Sequence, residues 1–241
     1  MKLMAALRTP RPKTRVNTGI TGLDSLIEGG LLPNRIYVVS GPPGSGKTTF
    51  GVQFLACGAW QGERGLFVSL VEDVENIISD MTSFSFKIEE LVTSGKLLFM
   101  DIGEMLETSV EFPTYKQLLS RISEHVKFRG IKRLVIDSLS AIKFIGADPR
   151  FEKKQMGEFM RGLQKIGCTT LLLSEMTDPE RYLPEHFLAH GVIFLHNFLS
   201  NSQMTRAIQI IKMRGTKHDC NLRRFEITKN GIRITSLLKT I

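Results

Sequence analysis

Apolar residues fall in short runs at 36–39, 66–71, 97–100, 134–136, 169–173 and 191–195, each bounded by polar or turn-forming residues. Runs of this length predict strands, and their near-continuous hydrophobicity predicts strands covered on both faces. Between them, 48–60, 115–128 and 151–166 carry apolar side chains at three- and four-residue spacing, which predicts helices with one buried face. Strands alternating with helices specify an α/β fold, a mostly parallel sheet flanked by helices. After Arg206 the texture changes. "RAIQIIKM" and "RRFEITKNGIRIT" have strand-like runs, and the second contains Asn230-Gly231, a two-residue hairpin signal. The sheet is therefore expected to end in antiparallel C-terminal strands.

With 241 residues, 42% of them hydrophobic, the chain can bury one substantial core without disulfides. There is no internal repeat, low-complexity segment or long polar linker to force a second domain. The expected organisation is a basic flexible arm over 1–15, bearing Lys2, Arg8, Arg11, Lys13 and Arg15, followed by one domain over 16–241. The apolar run at 3–7 is too short for a signal sequence, and no run approaches a membrane span, so no membrane partner is expected. Cys57, Cys168 and Cys220 have no metal-ligand spacing and are read as apolar fillers in a reducing, cytoplasmic compartment. The formal charge of +8 favours anionic partners, nucleic acid among them.

The strongest local signal is "SGPPGSGKTTF", in which Gly41, Gly46, Lys47 and Thr48 fill G-x-x-x-x-G-K-[ST] between a strand and a helix. The segment Gly41, Pro42, Pro43, Gly44, Ser45, Gly46, Lys47, Thr48 and Thr49 is thus the candidate ATP-binding loop. Its glycines let backbone N–H groups close around phosphate oxygens, and the following helix presents its positive end. Lys47 supplies charge to the phosphates, and the Thr48 hydroxyl can enter a magnesium shell. A further carboxylate is needed for the metal. Asp137, at the end of "RLVID", supplies it; a helix cap is the competing reading of that residue.

"VNTGITGLDSLIEGGLLPNRIYVVSGPPGSGKTTF", "RLVIDSLSAI", "GCTTLLLSE" and "IQIIKMRGTKHD" together resemble the RecA-superfamily ATPases of the KaiC and RadA type. Within that group the sequence is most similar to single-domain archaeal KaiC-like proteins, also described as RadA paralogues. The resemblance implies a RecA-like P-loop core, ATP with Mg2+, and a ring or filament with nucleotide between neighbouring subunits. It also implies that "KMRGTKH" reaches the neighbour's ATP, with Lys212 and Arg214 near the γ-phosphate and Thr216 and His218 near the base and sugar. Ser83 matches a nucleotide-contacting serine of the family. Clock KaiC proteins carry this domain twice, with phosphorylation sites in the second copy; this sequence holds one, and neither a clock nor autophosphorylation is expected.

The family pattern places a glutamate, often the first of an adjacent pair, after the strand "LFVSL" to polarise the attacking water. Ungapped matching puts Val71 there and Glu72 one residue late. Strand side chains alternate faces, so Glu72 inherits the role only where the backbone bulges or has already left the strand. Three readings follow: Glu72 orients the water, Asp73 does so, or neither does and the protein is an ATP-gated binding module. Asp73 also stands where it can cap the helix beginning "VENIISDM". Glu72, Lys47 and Asp137 form the expected catalytic set.

In RecA-like assemblies the loops after the Asp strand and after the next strand face DNA. Here they are "FIGADPRFEKK", with Arg150, Lys153 and Lys154, and "EMTDPERYLPEHFLAHG", with Arg181 beside Tyr182. Cations beside an aromatic suit single-stranded DNA, while the neighbouring acids suit an ordinary polar loop. His186 and His190 are four apart, which on a helix places them on one face, but they lack convincing further ligands and are read as structural. Ser174 and Glu175 end a strand beside the nucleotide site, where they sense the γ-phosphate or bond nearby backbone. The leading function is an ATPase coupling nucleotide to homo-oligomerisation and DNA binding in recombination or repair, slow because of Val71. The alternative is a nucleotide-gated scaffold or signalling module with weak hydrolysis and no DNA.

Overall fold

The apolar runs become the inner strands of a nine-stranded sheet. In the computed structural model the described residues are 14–102, 114–141, 149–176, 178, 180–200 and 202–238. Among them the strands are β1 (Ile36–Gly41), β2 (Gly65–Ser69), β3 (Leu97–Asp101), β4 (Arg133–Asp137), β5 (Thr169–Glu175), β6 (Gly191–Ser200), β7 (Gln203–Met213), β8 (Arg223–Thr228) and β9 (Gly231–Leu237). Their order is β3-β2-β4-β5-β1-β6-β7-β8-β9. Pairing is parallel from β3 through β6 and antiparallel from β6 to β9, as the two textures of the sequence require.

Seven helices are described: α1 (Leu23–Leu26), α2 (Lys47–Trp60), α3 (Val74–Met81), α4 (Ile88–Thr93), α5 (Tyr115–Arg129), α6 (Pro149–Ile166) and α7 (Pro184–Leu188). On one face α2, α3 and α4 pack Phe50, Phe54, Ile77 and Leu91 against Tyr37, Val39, Phe67 and Leu171. On the other, α5 and α6 set Leu118, Ile122, Phe159 and Leu163 against Ile36, Val38, Leu66 and Leu134. This is the period-two alternation of strands buried on both sides. The Asn230-Gly231 turn joins β8 to β9, with φ +92° at Gly231.

The lead-in "VNTGITGLDSL" is tied down by polar contacts. Val16 and Leu31 exchange N–H···O bonds of 2.8 Å, and the half-buried Asp24 carboxylate accepts from the Thr18 hydroxyl at 2.7 Å. Arg133, 1% exposed, donates to the Asn17 and Phe54 carbonyls, pairs with Glu63 at 2.7 Å and lies over the Phe54 ring. It locks lead-in, α2 and β4 together. Arg15, included in the expected arm, is held by the domain: it donates to the Gly30 carbonyl and the Thr216 hydroxyl and pairs with Glu28. Residues 1–13 lie outside the described residues.

Three local expectations are corrected. The run 66–71 leaves the strand at Ser69: residues 70–72 form a bend closed by the Ser69 hydroxyl on the Glu72 carbonyl, and the Leu70 N–H donates to Asp137 O at 2.7 Å. Helix α6 begins at Pro149, two residues before the expected 151, so Arg150 joins Lys153 and Lys154 on the helix and the basic end of "FIGADPRFEKK" is helical; proline suits a first turn, where its missing N–H costs nothing. Helix α7 ends at Leu188, so His186 and His190 do not share a helical face. His190 instead leads into β6, its N–H bonded to Ile36 O at 2.8 Å.

Candidate functional site

Strand β1 runs between β5 and β6 and delivers the glycine-rich loop at its C-terminal end, where α2 begins. Two glycines are required by space and conformation. A Cβ at Gly41 would lie 2.4 Å from Leu195 O, and Gly46 has φ +93° where a Cβ would meet Ile227 Cδ1 at 2.9 Å. Lys47 folds over this loop, its Nζ donating to Gly41 O at 2.9 Å and Pro42 O at 3.0 Å. Burial lowers its pKa, opposed by the charges of Glu175 and Asp137. Ser45 is buried, Pro43 and Gly44 are exposed, and the Gly44 carbonyl accepts from Arg206 Nε at 3.3 Å.

At the foot of the loop the Thr48 hydroxyl donates to Asp137 Oδ2 at 2.8 Å. Burial raises the Asp137 pKa, with the Thr48 bond and Lys47 opposing. Thus the two sequence candidates for the metal meet, 89 residues apart in the chain. A hydroxyl and a carboxylate are hard oxygen donors, and a magnesium ion held by one carboxylate plus substrate phosphates needs no richer cage. That fits the Thr48 hydroxyl and Asp137 carboxylate found together here.

A cleft of about 300 Å³ opens beside this pair, lined by Gly44, Gly46, Lys47, Thr48, Thr49, Glu72, Ile77, Asp80, Met81 and Ile227. The bend after β2 decides which acid faces it. Val71 is 74% exposed and is not among the lining residues, whereas Glu72 is. Because the chain has left the strand, the shift of one residue no longer reverses the face. Partial burial, then Asp137 and Asp80, raises the Glu72 pKa. Asp73 is occupied otherwise: it caps α3, accepting from the Glu75 N–H at 2.7 Å.

Other candidates are placed as follows. Ser83 is exposed just beyond α3 and donates to Asp80 O at 2.8 Å, outside the cleft lining. Glu175 is near enough to act on Lys47 and Asp137, whereas Ser174 turns away and donates to the buried Glu185 carboxylate at 2.7 Å. Lys212 donates to the carbonyls of His186 and Phe187 at 3.0 Å each, and Arg214 Nη2 to Phe187 O at 3.2 Å. His218 Nδ1 lies 3.2 Å from Thr216 O. Lys153, Lys154 and Arg181 are exposed; the side chain of Arg150 lies outside the described residues. Sequence reasoning missed Asp80 and Ile227. Asp80 had a signal, since α3 alternates buried Ile77 and Met81 with polar positions; Ile227, brought in by the distant β8, had none.

A family model for the ATPase KaiC matches residues 16–239. The chain is 34% identical over 229 residues to the circadian clock oscillator protein KaiC of Parathermosynechococcus lividus, covering 91% of this chain but 42% of that protein. Against a UPF0273 protein of Thermotoga maritima it is 31% identical over 230 residues, covering 90% of this chain and 94% of the relative. The crystal structure of a KaiC-like protein from Pyrococcus horikoshii OT3 superposes with a TM-score of 0.81 at 35% identity, covering 93% and 100% of the two chains.

Proposed function

Because the chain belongs to the KaiC family of RecA-like ATPases, we propose that it hydrolyses Mg-ATP slowly in an assembly whose neighbouring subunits complete each site. The meeting of Thr48 and Asp137 beneath Lys47, with Glu72 lining the same cleft, carries this reading. The backbone from Gly41 to Thr49, with Lys47, holds the phosphates. Thr48 and Asp137 would hold magnesium, which when bound neutralises charge on the phosphate oxygens. Glu72 accepts a proton from the attacking water, a positioned-base role contributing about 10² to 10⁴ in rate.

The case for completion by a neighbour rests on the direction of β1. The loop follows its last residue, Gly41, whereas the Arg214 N–H bonds His190 O, and the His190 N–H bonds Ile36 O at its start. Five steps of about 3.3 Å separate the two ends by roughly 16 Å. A subunit's Arg214 is thus remote from its own phosphates, and Lys212, Arg214, Thr216 and His218 are assigned to the neighbour's nucleotide in a ring or filament. A cation supplied in trans adds about 10³ to 10⁵ in rate and makes hydrolysis depend on assembly.

Single-stranded DNA is assigned to Arg150, Lys153, Lys154 and Arg181, which follow β4 and β5 on the P-loop side of the sheet, and the process to recombination or repair in the cytoplasm. The alternative, a nucleotide-gated scaffold, is favoured by the exposure of Glu72, since an unpacked base is poorly oriented. ATP hydrolysis with and without single-stranded DNA tests the choice. Stimulation, lost on Lys153→Ala with Lys154→Ala, supports the ATPase; ATP binding without turnover in either condition supports the scaffold.

A further inference from the structure

The opposite edge of the sheet carries a row of cations that the nucleotide chemistry does not use. Lys96, Arg64, Lys132 and Arg35 each stand immediately before the first residue of β3, β2, β4 and β1. Register aligns the first three: Gly65 pairs with Leu97 and with Arg133, so the residues before them lie side by side. Neighbouring strands are about 4.8 Å apart, so these cations follow one another at near that spacing. Backbone bonds join them directly, Gly65 N–H to Lys96 O at 3.0 Å and Lys132 N–H to Arg64 O at 2.8 Å. The Arg64 guanidinium donates to Arg129 O at 3.0 Å, bringing the basic end of α5 into the same row.

Two aromatic residues neighbour it, Trp60 by contact with Lys96 and Phe128 as the residue before Arg129. Phe128, 82% exposed, sits between Lys127 and Arg129 at the end of α5. Trp60, 44% exposed, has Lys96 Nζ 5.2 Å from its ring centre and Lys87 Nζ at 5.9 Å. Of the acids near it, Glu63 is paired to the buried Arg133 and Glu90 lies 3.9 Å from Lys87. Aligned, exposed cations with partly or largely exposed aromatic side chains next to them match a chain of phosphates carrying unpaired bases: backbone charge is met by Lys and Arg, and any base can stack on an aromatic. A duplex would leave the rings unmatched, because its bases are already stacked.

We infer that this edge, formed by Lys96, Arg64, Lys132 and Arg129 with Trp60 and Phe128, binds single-stranded nucleic acid, DNA or RNA, independently of the loops on the P-loop side. It lies at the N-terminal ends of β2, β3 and β4, at the other end of the sheet from Lys153, Lys154 and Arg181. Both surfaces can therefore be occupied at once.

The test is fluorescence anisotropy with single-stranded DNA and RNA oligonucleotides of one sequence, titrated across salt concentrations. The proteins are the wild type, the triple variant Lys96→Ala, Arg64→Ala, Lys132→Ala, the single variant Phe128→Ala, and Lys153→Ala with Lys154→Ala. Three lost phosphate contacts at about 0.7 each should make the plot of log affinity against log salt shallower by about 2, weakening binding more than tenfold near 0.05 M salt. Phe128→Ala should weaken binding several-fold with an unchanged slope, since stacking releases no counterions. ATP hydrolysis and cooperative thermal unfolding should stay at wild-type values in both. DNA and RNA affected alike mark the shared backbone chemistry; loss for one alone identifies the nucleic acid held.

Wild-type affinity and slope in the triple variant overturn the inference, as does absence of oligonucleotide binding by the wild type at low salt. Tighter binding of polyglutamate than of either oligonucleotide, unmoved by Phe128→Ala, would make the edge an acidic-protein surface and also overturn it. If only the Lys153, Lys154 variant loses affinity, the loop assignment stands and this one falls; if only the triple variant does, the reverse holds.

Discussion

Replacing Glu72 by Gln keeps the side-chain size and removes both the capacity to take a proton and the negative charge. Glu72 lines the cleft with Lys47 and Thr48 while Val71 is 74% exposed, and the role proposed for Glu72 is that of the missing family glutamate. A positioned base contributes about 10² to 10⁴ in rate, roughly 3 to 5 kcal/mol of barrier. Steady-state phosphate release by Glu72→Gln should therefore fall at least about a hundredfold. Removing a negative charge beside the phosphates should leave ATP affinity unchanged or tighter, measured by equilibrium titration. Partial burial, Asp137 and Asp80 hold the Glu72 carboxyl above its ordinary 4.5. The wild-type rate should thus drop with falling pH before an ordinary glutamate would protonate, and residual turnover in the variant should lack that limb. Val71→Ala should behave as wild type. Unchanged turnover in Glu72→Gln, or a collapse in Val71→Ala, would refute the assignment.

His186 is buried, and its pKa is lowered to about 4 by burial first and Lys212 second. Its neutral ring is the form the fold accepts: Nδ1 takes the Leu183 N–H at 3.0 Å, leaving Nε2–H to donate to the Ser40 hydroxyl at 2.7 Å. The stabilisation is complete above the unfolded value of 6.5 and lost as pH falls toward about 4, a change of about 3 kcal/mol. Denaturant unfolding across this window should show the slope in the wild type and not in His186→Asn; equal slopes would show that another group titrates. Gly46→Ala forces a left-handed conformation on a residue with a Cβ, costing about 1 to 2 kcal/mol, while the tip of Ile227 can give way. Thermal unfolding should register that loss, and nucleotide titration should show affinity reduced, because the loop N–H groups are re-aimed.

The inner strands were legible because a strand buried on both faces writes itself as an uninterrupted apolar run; β1 is buried at every position from Ile36 to Gly41. The loop was legible because its chemistry is contiguous. Where the chain leaves β2 was not, since Leu70 and Val71 are as apolar as the strand before them. The deciding contacts are a side chain reaching over a bend, Ser69 to Glu72, and a backbone bond to distant Asp137. The same holds for Ile227, which reaches the cleft from β8 only after the hairpin has formed. Asp73 reads equally well as catalyst or cap in one dimension; the Glu75 N–H at 2.7 Å shows the cap.

One short element links the nucleotide site with the cations assigned to a neighbour. Helix α7, five residues long, is too short to be stable alone, so its contacts fix its place. Toward the loop, His186 bonds Ser40, the residue before Gly41, and Glu185 bonds Ser174, the residue before Glu175. Toward the far end of the sheet, the carbonyls of His186 and Phe187, at the negative end of the helix, hold Lys212 and Arg214. The Ser40 and Ser174 bonds are buried, and breaking either strands a polar group at a cost of about 1 to 3 kcal/mol. Displacing the ends of β1 or β5 is therefore opposed unless α7 moves with them, and α7 cannot move without shifting the carbonyls that hold Lys212 and Arg214.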